Sequence, residues 1–310
     1  MEEKSEIPQN IKYSPLGAAA KVLPCGEDLA GCVSIIGIGL MGGSFALSLK
    51  RKGLASHIIG VDNNEQHLQS AMDLKLVDEV LPLNDAVAKS KLIVLAIPVD
   101  ATVKLLPIIM DQVTDEHVVI DMGSTKREVI DAINKHPNRK RFVATHPMWG
   151  TEYSGPTAAV NDAFINKAVV ICDAENSDAE ALALVEDTYK KIGMHLVYME
   201  AASHDLHTAY VSHISHITSF ALANTVLEKE REDEAIFELA SGGFESTVRL
   251  AKSNPAMWVP IFKQNRENVL DVLNEHITQL RKFKSCLEKE NYEYLQELIE
   301  HANGIRRILK

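Results

Sequence analysis

Residues 33–44 read Val33-Ser34-Ile35-Ile36-Gly37-Ile38-Gly39-Leu40-Met41-Gly42-Gly43-Ser44, a β-branched run that ends in a glycine loop. A stretch of helical composition follows over 41–52. A lone G-x-G-x-x-G is a weak signal. Here its context is present: a strand before it, a helix after it, and a second apolar run, Ile58-Ile59-Gly60-Val61, ending in Asp62 about twenty positions on. In such a turn the glycines let backbone N–H groups and the helix N-terminus approach a pyrophosphate. Gly37, Gly39, Leu40, Met41 and Gly42 are therefore the expected cofactor loop, with Asp62 accepting from the adenosine ribose. Asn63 and Asn64 follow, and no arginine stands there to hold a 2′-phosphate, so NAD is expected rather than NADP.

Outward from that loop the apolar runs recur. Leu92-Ile93-Val94-Leu95-Ala96-Ile97 stops at Pro98, which joins the cofactor side; 118–121, 141–145, 168–171 and 195–198 repeat the theme. Strands without polar alternation, separated by helical stretches, indicate a mainly parallel sheet covered on both faces. Beyond residue 200 the strand signals stop. Residues 201–230 contain no proline or glycine and would make one helix of about 45 Å. Further helices are expected over 233–240, 245–251, 255–274 and 275–290, with a last one from 291. The predicted organisation is an arm over 1–32, a Rossmann-type doubly wound α/β domain over 33–199, and an all-helical domain over 200–310. The long helix carries more apolar stripe than its own domain can cover, so a homodimer built through 200–310 is expected, with each site near the subunit boundary.

A chain of 310 residues with 46% hydrophobic and 24% charged residues is globular and long enough for two domains. Its net charge of −11 opposes a phosphate-tracking surface, so nucleic acid is not an expected partner. An anionic ligand would need local Arg, Lys or His. Cys25, Cys32, Cys172 and Cys286 lack the spacing of a zinc site or a disulfide framework. No apolar run approaches the roughly 20 residues of a membrane span, and the opening MEEKSEIPQN is acidic and polar, unlike a leader. A cytoplasmic, membrane-free protein is expected.

Chemistry-bearing residues cluster after two of the strands. Asp121-Met122-Gly123-Ser124-Thr125-Lys126 follows one, and the next ends in His146-Pro147-Met148-Trp149-Gly150-Thr151-Glu152. Ligands of open α/β sheets sit beyond the carboxyl ends of the strands, which places Ser124 and His146 at the reacting end of the cofactor. A histidine near neutrality suits taking a hydroxyl proton while hydride leaves the same carbon. The plainer alternative is a histidine that only caps a strand. The long helix carries His204, Asp205, His213 and His216; 213 and 216 share one face. The spacing is not that of a metal site, so no metal is expected, and a solvated face is the plainer alternative. Arg249 alone is indistinguishable from any surface arginine.

Together these segments resemble the prephenate/arogenate dehydrogenase family. The matching pieces are GIGLMGGS at 37–44, DMGSTK at 121–126, HPMWGTEYSGP at 146–156, SHDLHTAYVSHISH at 203–216 and GGFESTVRLAKSNPAMW at 242–258. They run in the family's order over about 33–300, and the HPMxGTExSGP string is the specific one. The resemblance implies oxidative decarboxylation of prephenate to 4-hydroxyphenylpyruvate with NAD, in tyrosine biosynthesis. It implies that His146 bonds the ring 4-hydroxyl, Ser124 supports that hydroxyl and the nicotinamide, and Arg249 binds a substrate carboxylate. His213, His216, Thr151 and Gly242 would line the rest of the pocket, with Glu152 and Asp205 shaping or gating it. His213, His216 and Arg249 are all capable donors, which favours the keto group of prephenate over the ammonium of arogenate. Two residues depart from the family pattern: Trp149, where a smaller residue is usual, bears on pocket volume or a subunit contact, and Ser215, in place of proline, should leave the helix less kinked. Arogenate dehydrogenase is the nearest alternative. The β-hydroxyacid dehydrogenases use a lysine in a glycine-rich segment, and none follows Gly242-Gly243 until Lys252. A non-catalytic NAD-sensing module is the alternative from another class.

Overall fold

The computed structural model describes residues 31–230 and 238–308. Most of the expected arm, residues 1–30, and most of the expected 233–240 helix lie outside the described residues.

The strands are β1 (Cys32–Ile36), β2 (His57–Val61), β3 (Glu79–Val80), β4 (Leu92–Leu95), β5 (Val118–Asp121), β6 (Phe142–Pro147), β7 (Ala168–Cys172) and β8 (His195–Met199). The helices between them are α1 (Leu40–Arg51), α2 (Glu65–Asp73), α3 (Leu83–Lys89), α4 (Val99–Met110), α5 (Arg127–Asp131) and α6 (Ala179–Ile192). One sheet results, in the order β3-β2-β1-β4-β5-β6-β7-β8. The winding reverses between β1 and β4, which opens a crevice at their carboxyl ends. Both faces are covered, which is why the strands do not alternate in polarity. In β4, Leu92 and Val94 pack with Phe45 and Tyr189 on one face, while Ile93 and Leu95 pack with Leu106 and Phe142 on the other.

Pairing is parallel except between β6 and β7, which run antiparallel. Residues 148–167 carry only a short turn of helix at Pro156–Ala158, and an antiparallel neighbour needs no helical crossover. β7 and β8 are parallel again, joined through α6. The two-residue β3 is too short for a periodic signal, and the sequence reading lacks it. Cys32, assigned to the arm from sequence, is the first residue of β1.

The remaining helices are α7 (Ala201–Thr208), α8 (Ile214–Glu230), α9 (Gly242–Val248), α10 (Pro255–Gln264), α11 (Arg266–Glu288) and α12 (Tyr292–Ala302). The expected single helix over 201–230 is two α-helices joined by a π turn at Ala209–His213, where the Ile214 N–H reaches back five residues to the Ala209 carbonyl. The extra residue in that turn turns His213 fully inward, where its Nδ1 meets the Asn265 amide at 3.1 Å. The expected break near 274 falls instead at Asn265. Its amide nitrogen also donates to the Asp205 carbonyl (2.6 Å), pinning the α10–α11 junction to α7. Thr125 Oγ1 donates to Gln264 across the same boundary (2.5 Å). Among the described residues no helix is long and apolar enough to cross a membrane.

Candidate active site

The glycine loop lies at the carboxyl end of β1. Gly37 has φ +94, and a Cβ there would stand 2.5 Å from the Ala96 carbonyl oxygen. A Cβ on Gly42 would stand 2.0 Å from the Gly37 carbonyl oxygen. These two glycines are required by the close approach of backbone to backbone. Gly39 is different: nothing lies within 4 Å of the position a Cβ would take. That open space sits at the start of α1, where Leu40 and Met41 form the first turn, and it fits a pyrophosphate. Asp62 is tied to the loop, its Oδ2 accepting from the Ile38 N–H (3.0 Å) and its Oδ1 from the Asn64 N–H (2.9 Å). Pro98 precedes α4 at the end of β4, the strand beside β1. His67 stands 3.6 Å from Asp62 on α2, a residue the sequence reading did not single out. The donor set and the open position at Gly39 fit a dinucleotide.

Ser124 follows β5, and His146 is the penultimate residue of the neighbouring β6. Ser124 lies on the half-buried loop into α5. Beneath that loop is a buried ion pair, Lys126 with Asp121, and the ammonium also donates to the Thr145 carbonyl (2.8 Å). Asp121 in turn accepts from the N–H groups of Gly123 (2.9 Å) and Thr145 (3.2 Å). Three charge-assisted contacts on one buried carboxylate make this a stiff floor for the loop.

His146 is 8% exposed. Its Nδ1 lies 2.8 Å from His204 Nε2, and His204 Nδ1 lies 2.8 Å from Asp205 Oδ1. Burial, then the neighbouring His204, Lys126 and His213, hold His146 well below its ordinary pKa. Burial lowers His204 as well, against the pull of Asp205. Asp205 is 4% exposed and accepts from the Lys126 N–H (2.8 Å) and the Arg127 N–H (3.0 Å). Of the two expected roles, shaping or gating the pocket, the 4% exposure of Asp205 speaks against gating: it is an interior group between α7 and α5. His204, visible on the long helix by sequence but given no role there, stands between His146 and Asp205. Its signal was adjacency, a histidine next to a carboxylate in Ser203-His204-Asp205.

On the far side, Arg249 donates to Glu152 Oε2 at 2.7 Å. The Glu152 N–H and Arg249 together hold that carboxyl below its usual range. The Arg249 side chain is 49% exposed, so its charge is open to a ligand as well as to Glu152. Thr151 Oγ1 caps the following turn, accepting from the Tyr153 N–H (3.3 Å). Gly242 opens α9 at an exposed position, with nothing within 4 Å of the place a Cβ would take.

His213 and His216 converge on Trp258. His216 stacks on the indole at 3.5 Å between ring centroids, and His213 meets it edge-on at 5.9 Å. Burial lowers His216, and it lowers His213 to about 4. Both rings are therefore neutral near pH 7. His216 Nδ1 lies 3.1 Å from the Ser212 carbonyl, so it carries the proton and leaves Nε2 as an acceptor. This corrects the expectation that His216 is a donor. His213 has the opposite tautomer, because the Asn265 amide donates to its Nδ1. Trp149, a departure by sequence, packs edge-on to Phe164 at 5.6 Å within its own domain. Among the described residues no group of three or more His, Cys, Asp or Glu could hold a metal ion.

The family profile described as "Prephenate dehydrogenase, nucleotide-binding domain" matches residues 45–198, and "Prephenate dehydrogenase, dimerization domain" matches residues 200–301. The prephenate dehydrogenase of Bacillus subtilis (strain 168) is 30% identical over 277 residues, covering 88% of this chain and 75% of that protein. The cyclohexadienyl dehydrogenase of Zymomonas mobilis is 29% identical over 280 residues, covering 90% of this chain and 96% of that one. The crystal structure of prephenate dehydrogenase from Aquifex aeolicus in complex with hydroxyphenyl propionate and NAD+ superposes with a TM-score of 0.80 at 31% identity, covering 90% of this chain and 98% of the other.

Proposed function

The chain belongs to the prephenate dehydrogenase family, and from that premise we propose how its residues divide the work. The reaction is the NAD-dependent oxidative decarboxylation of prephenate to 4-hydroxyphenylpyruvate, a step of tyrosine biosynthesis. The ring carbon bearing the 4-hydroxyl loses hydride, the bond to the ring carboxylate breaks, and its electron pair aromatises the ring as carbon dioxide leaves. NAD, when bound, supplies the hydride acceptor. His146 holds the 4-hydroxyl proton as positive charge builds on that carbon and returns it to the phenol oxygen, so no net proton is released.

Ser124 supports the same hydroxyl. Arg249 binds a substrate carboxylate in exchange for Glu152, and His213, His216, Thr151 and Gly242 complete the pocket. Gly37, Gly39, Leu40, Met41, Gly42, Asp62 and Pro98 hold the cofactor. The observation that carries this assignment is the buried, neutral His146, with one ring nitrogen committed to His204, at the carboxyl end of a strand two places from the glycine loop's neighbour β4.

A second reading, arogenate as substrate, is favoured by one feature. Neutral His216 offers an acceptor that suits an ammonium, whereas His213 offers a donor that suits a keto oxygen. NADH formation with prephenate and with arogenate, each with NAD and with NADP, decides between them. Prephenate with NAD is expected to give the highest kcat/KM; a higher value with arogenate reverses the substrate, and a higher value with NADP removes the role given to Asp62.

The working form is a cytoplasmic homodimer joined through the helical half. Leu280 and Leu287 on α11 and Tyr292 and Ile299 on α12 are exposed in the single chain, as a covered interface would require. Buried thiols at Cys172 and Cys286 suit a reducing compartment.

A further inference from the structure

We propose that Asp205, through His204, is a positioning residue that sets which nitrogen of His146 carries the proton and at the same time anchors the loop that bears Ser124. The proposal rests on His146 being the base described above.

Donors and acceptors along the three side chains fix the proton order. The two oxygens of Asp205 accept from the Lys126 and Arg127 N–H groups, so the carboxylate is an acceptor on both sides. Its contact with His204 therefore requires the proton on His204 Nδ1. A neutral His204 then has a bare Nε2, which can only accept. Its partner at 2.8 Å, His146 Nδ1, must donate. A neutral His146 with its proton on Nδ1 has a bare Nε2, the form that can take a proton from a hydroxyl. The chain of three side chains thus delivers one tautomer. Without Asp205, nothing on His204 prefers Nδ1–H over Nε2–H, and the reversed order would put the proton of His146 on Nε2. That nitrogen would then donate to the hydroxyl and could not act as a base.

The two N–H groups that Asp205 accepts from lie just beyond the Ser124 loop. Lys126 and Arg127 are two and three residues beyond Ser124, so the carboxylate that orients His146 also fixes the exit of the Ser124 loop. The Lys126 side chain closes the circuit. It pairs with Asp121 and donates to the carbonyl of Thr145, the residue before His146. The charged or titratable groups facing this centre are Lys126 and Asp121 beneath it, His213 from the π turn, and Asp205 itself. Asn265 holds Asp205 from behind through its main-chain carbonyl.

The test uses two substitutions and one spectroscopic measurement on the unmodified protein. Asp205→Asn leaves one acceptor oxygen and one amide donor where the carboxylate accepts from His204, Lys126 and Arg127. His204→Leu removes the link but leaves Asp205 on the α5 backbone. Each is expected to lower kcat by about 10²–10⁴-fold, with NAD affinity in a fluorescence titration unchanged, and to distort the acid limb of the kcat pH profile. Nitrogen-15 NMR of histidine-labelled protein without substrate should show His146 with a protonated Nδ1 and a bare Nε2, and this order reversed in Asp205→Asn. A protonated Nε2 on His146 in the unmodified protein at neutral pH overturns the proposal, even if neither variant folds. So does kcat within about twofold of normal in both variants. If His146→Asn loses activity while these two keep it, positioning fails and the base stands. If His146→Asn keeps activity, the base itself fails, and the NMR signature still decides the proton order.

Discussion

At the scale of single residues, environment assigns the roles. His146 is an ordinary strand-end histidine by sequence; burial and a histidine partner keep it neutral and oriented. His146→Asn keeps a polar side chain but removes the base, so kcat is expected to fall about 10²–10⁴-fold. NAD affinity, measured by fluorescence titration, should stay as it is; near-normal turnover would take His146 out of the mechanism. Asp62 is tied to the loop by the Ile38 N–H, and in the proposed cofactor site its charge would repel a 2′-phosphate. Asp62→Ser is expected to narrow the preference for NAD over NADP, read as the ratio of the two kcat/KM values. An unchanged ratio would move the discrimination to another residue, with His67 next in line.

Whole elements are held by backbone contacts that admit no side chain. α1 starts where it does because Gly42 passes the Gly37 carbonyl without a Cβ. Gly42→Ala would set a methyl 2.0 Å from that oxygen, and the obstacle is main chain, which cannot rotate away. The loop must shift, so NAD binding by calorimetry is expected to be lost while the helical half still folds. Retained NAD affinity would mean that the loop has slack the packing denies. The π turn between α7 and α8 acts in the opposite sense, adding a residue so that His213 faces Asn265. π turns recur at functional sites because they re-aim one side chain without ending the helix.

At the scale of the whole molecule, five histidines share one electrostatic consequence. His117, His146, His204, His213 and His216 are all held below their ordinary pKa, burial being the largest cause in each. The unfolded chain takes up these protons first as pH falls below about 6.5. Stability from keeping them neutral is therefore complete above that value and is lost as pH falls towards the folded values, about 4 for His213. The melting temperature followed by circular dichroism should drop steadily from pH 7.5 to pH 5; a flat profile would mean the folded and unfolded chains take up protons alike. The exposed apolar residues of α11 and α12 carry the second expectation at this scale. Light scattering at micromolar concentration should give twice the chain mass, and Leu287→Glu should shift it towards one.

The sequence by itself determined the parts that depend on neighbours along the chain. Periodicity over 33–198 requires a sheet covered on both faces, since β4 buries alternate residues on opposite sides. The spacing of Gly37, Gly39, Gly42 and Asp62 points to a nucleotide turn, and at Gly42 the crowding it answers is local, the Gly37 carbonyl five residues back. The position of His146 at the end of an apolar run places it at the carboxyl edge of the sheet. Tertiary structure alone decided what depends on contacts between distant segments. His146 and His204 are 58 residues apart, and no spacing rule pairs them; they meet because α7 packs against α5. The antiparallel turn of β7, the break at Asn265 and the inward place of Asp205 are of the same kind. Each is set by a hydrogen bond to a group far away in sequence, and such a bond has no periodicity to leave in the chain that makes it.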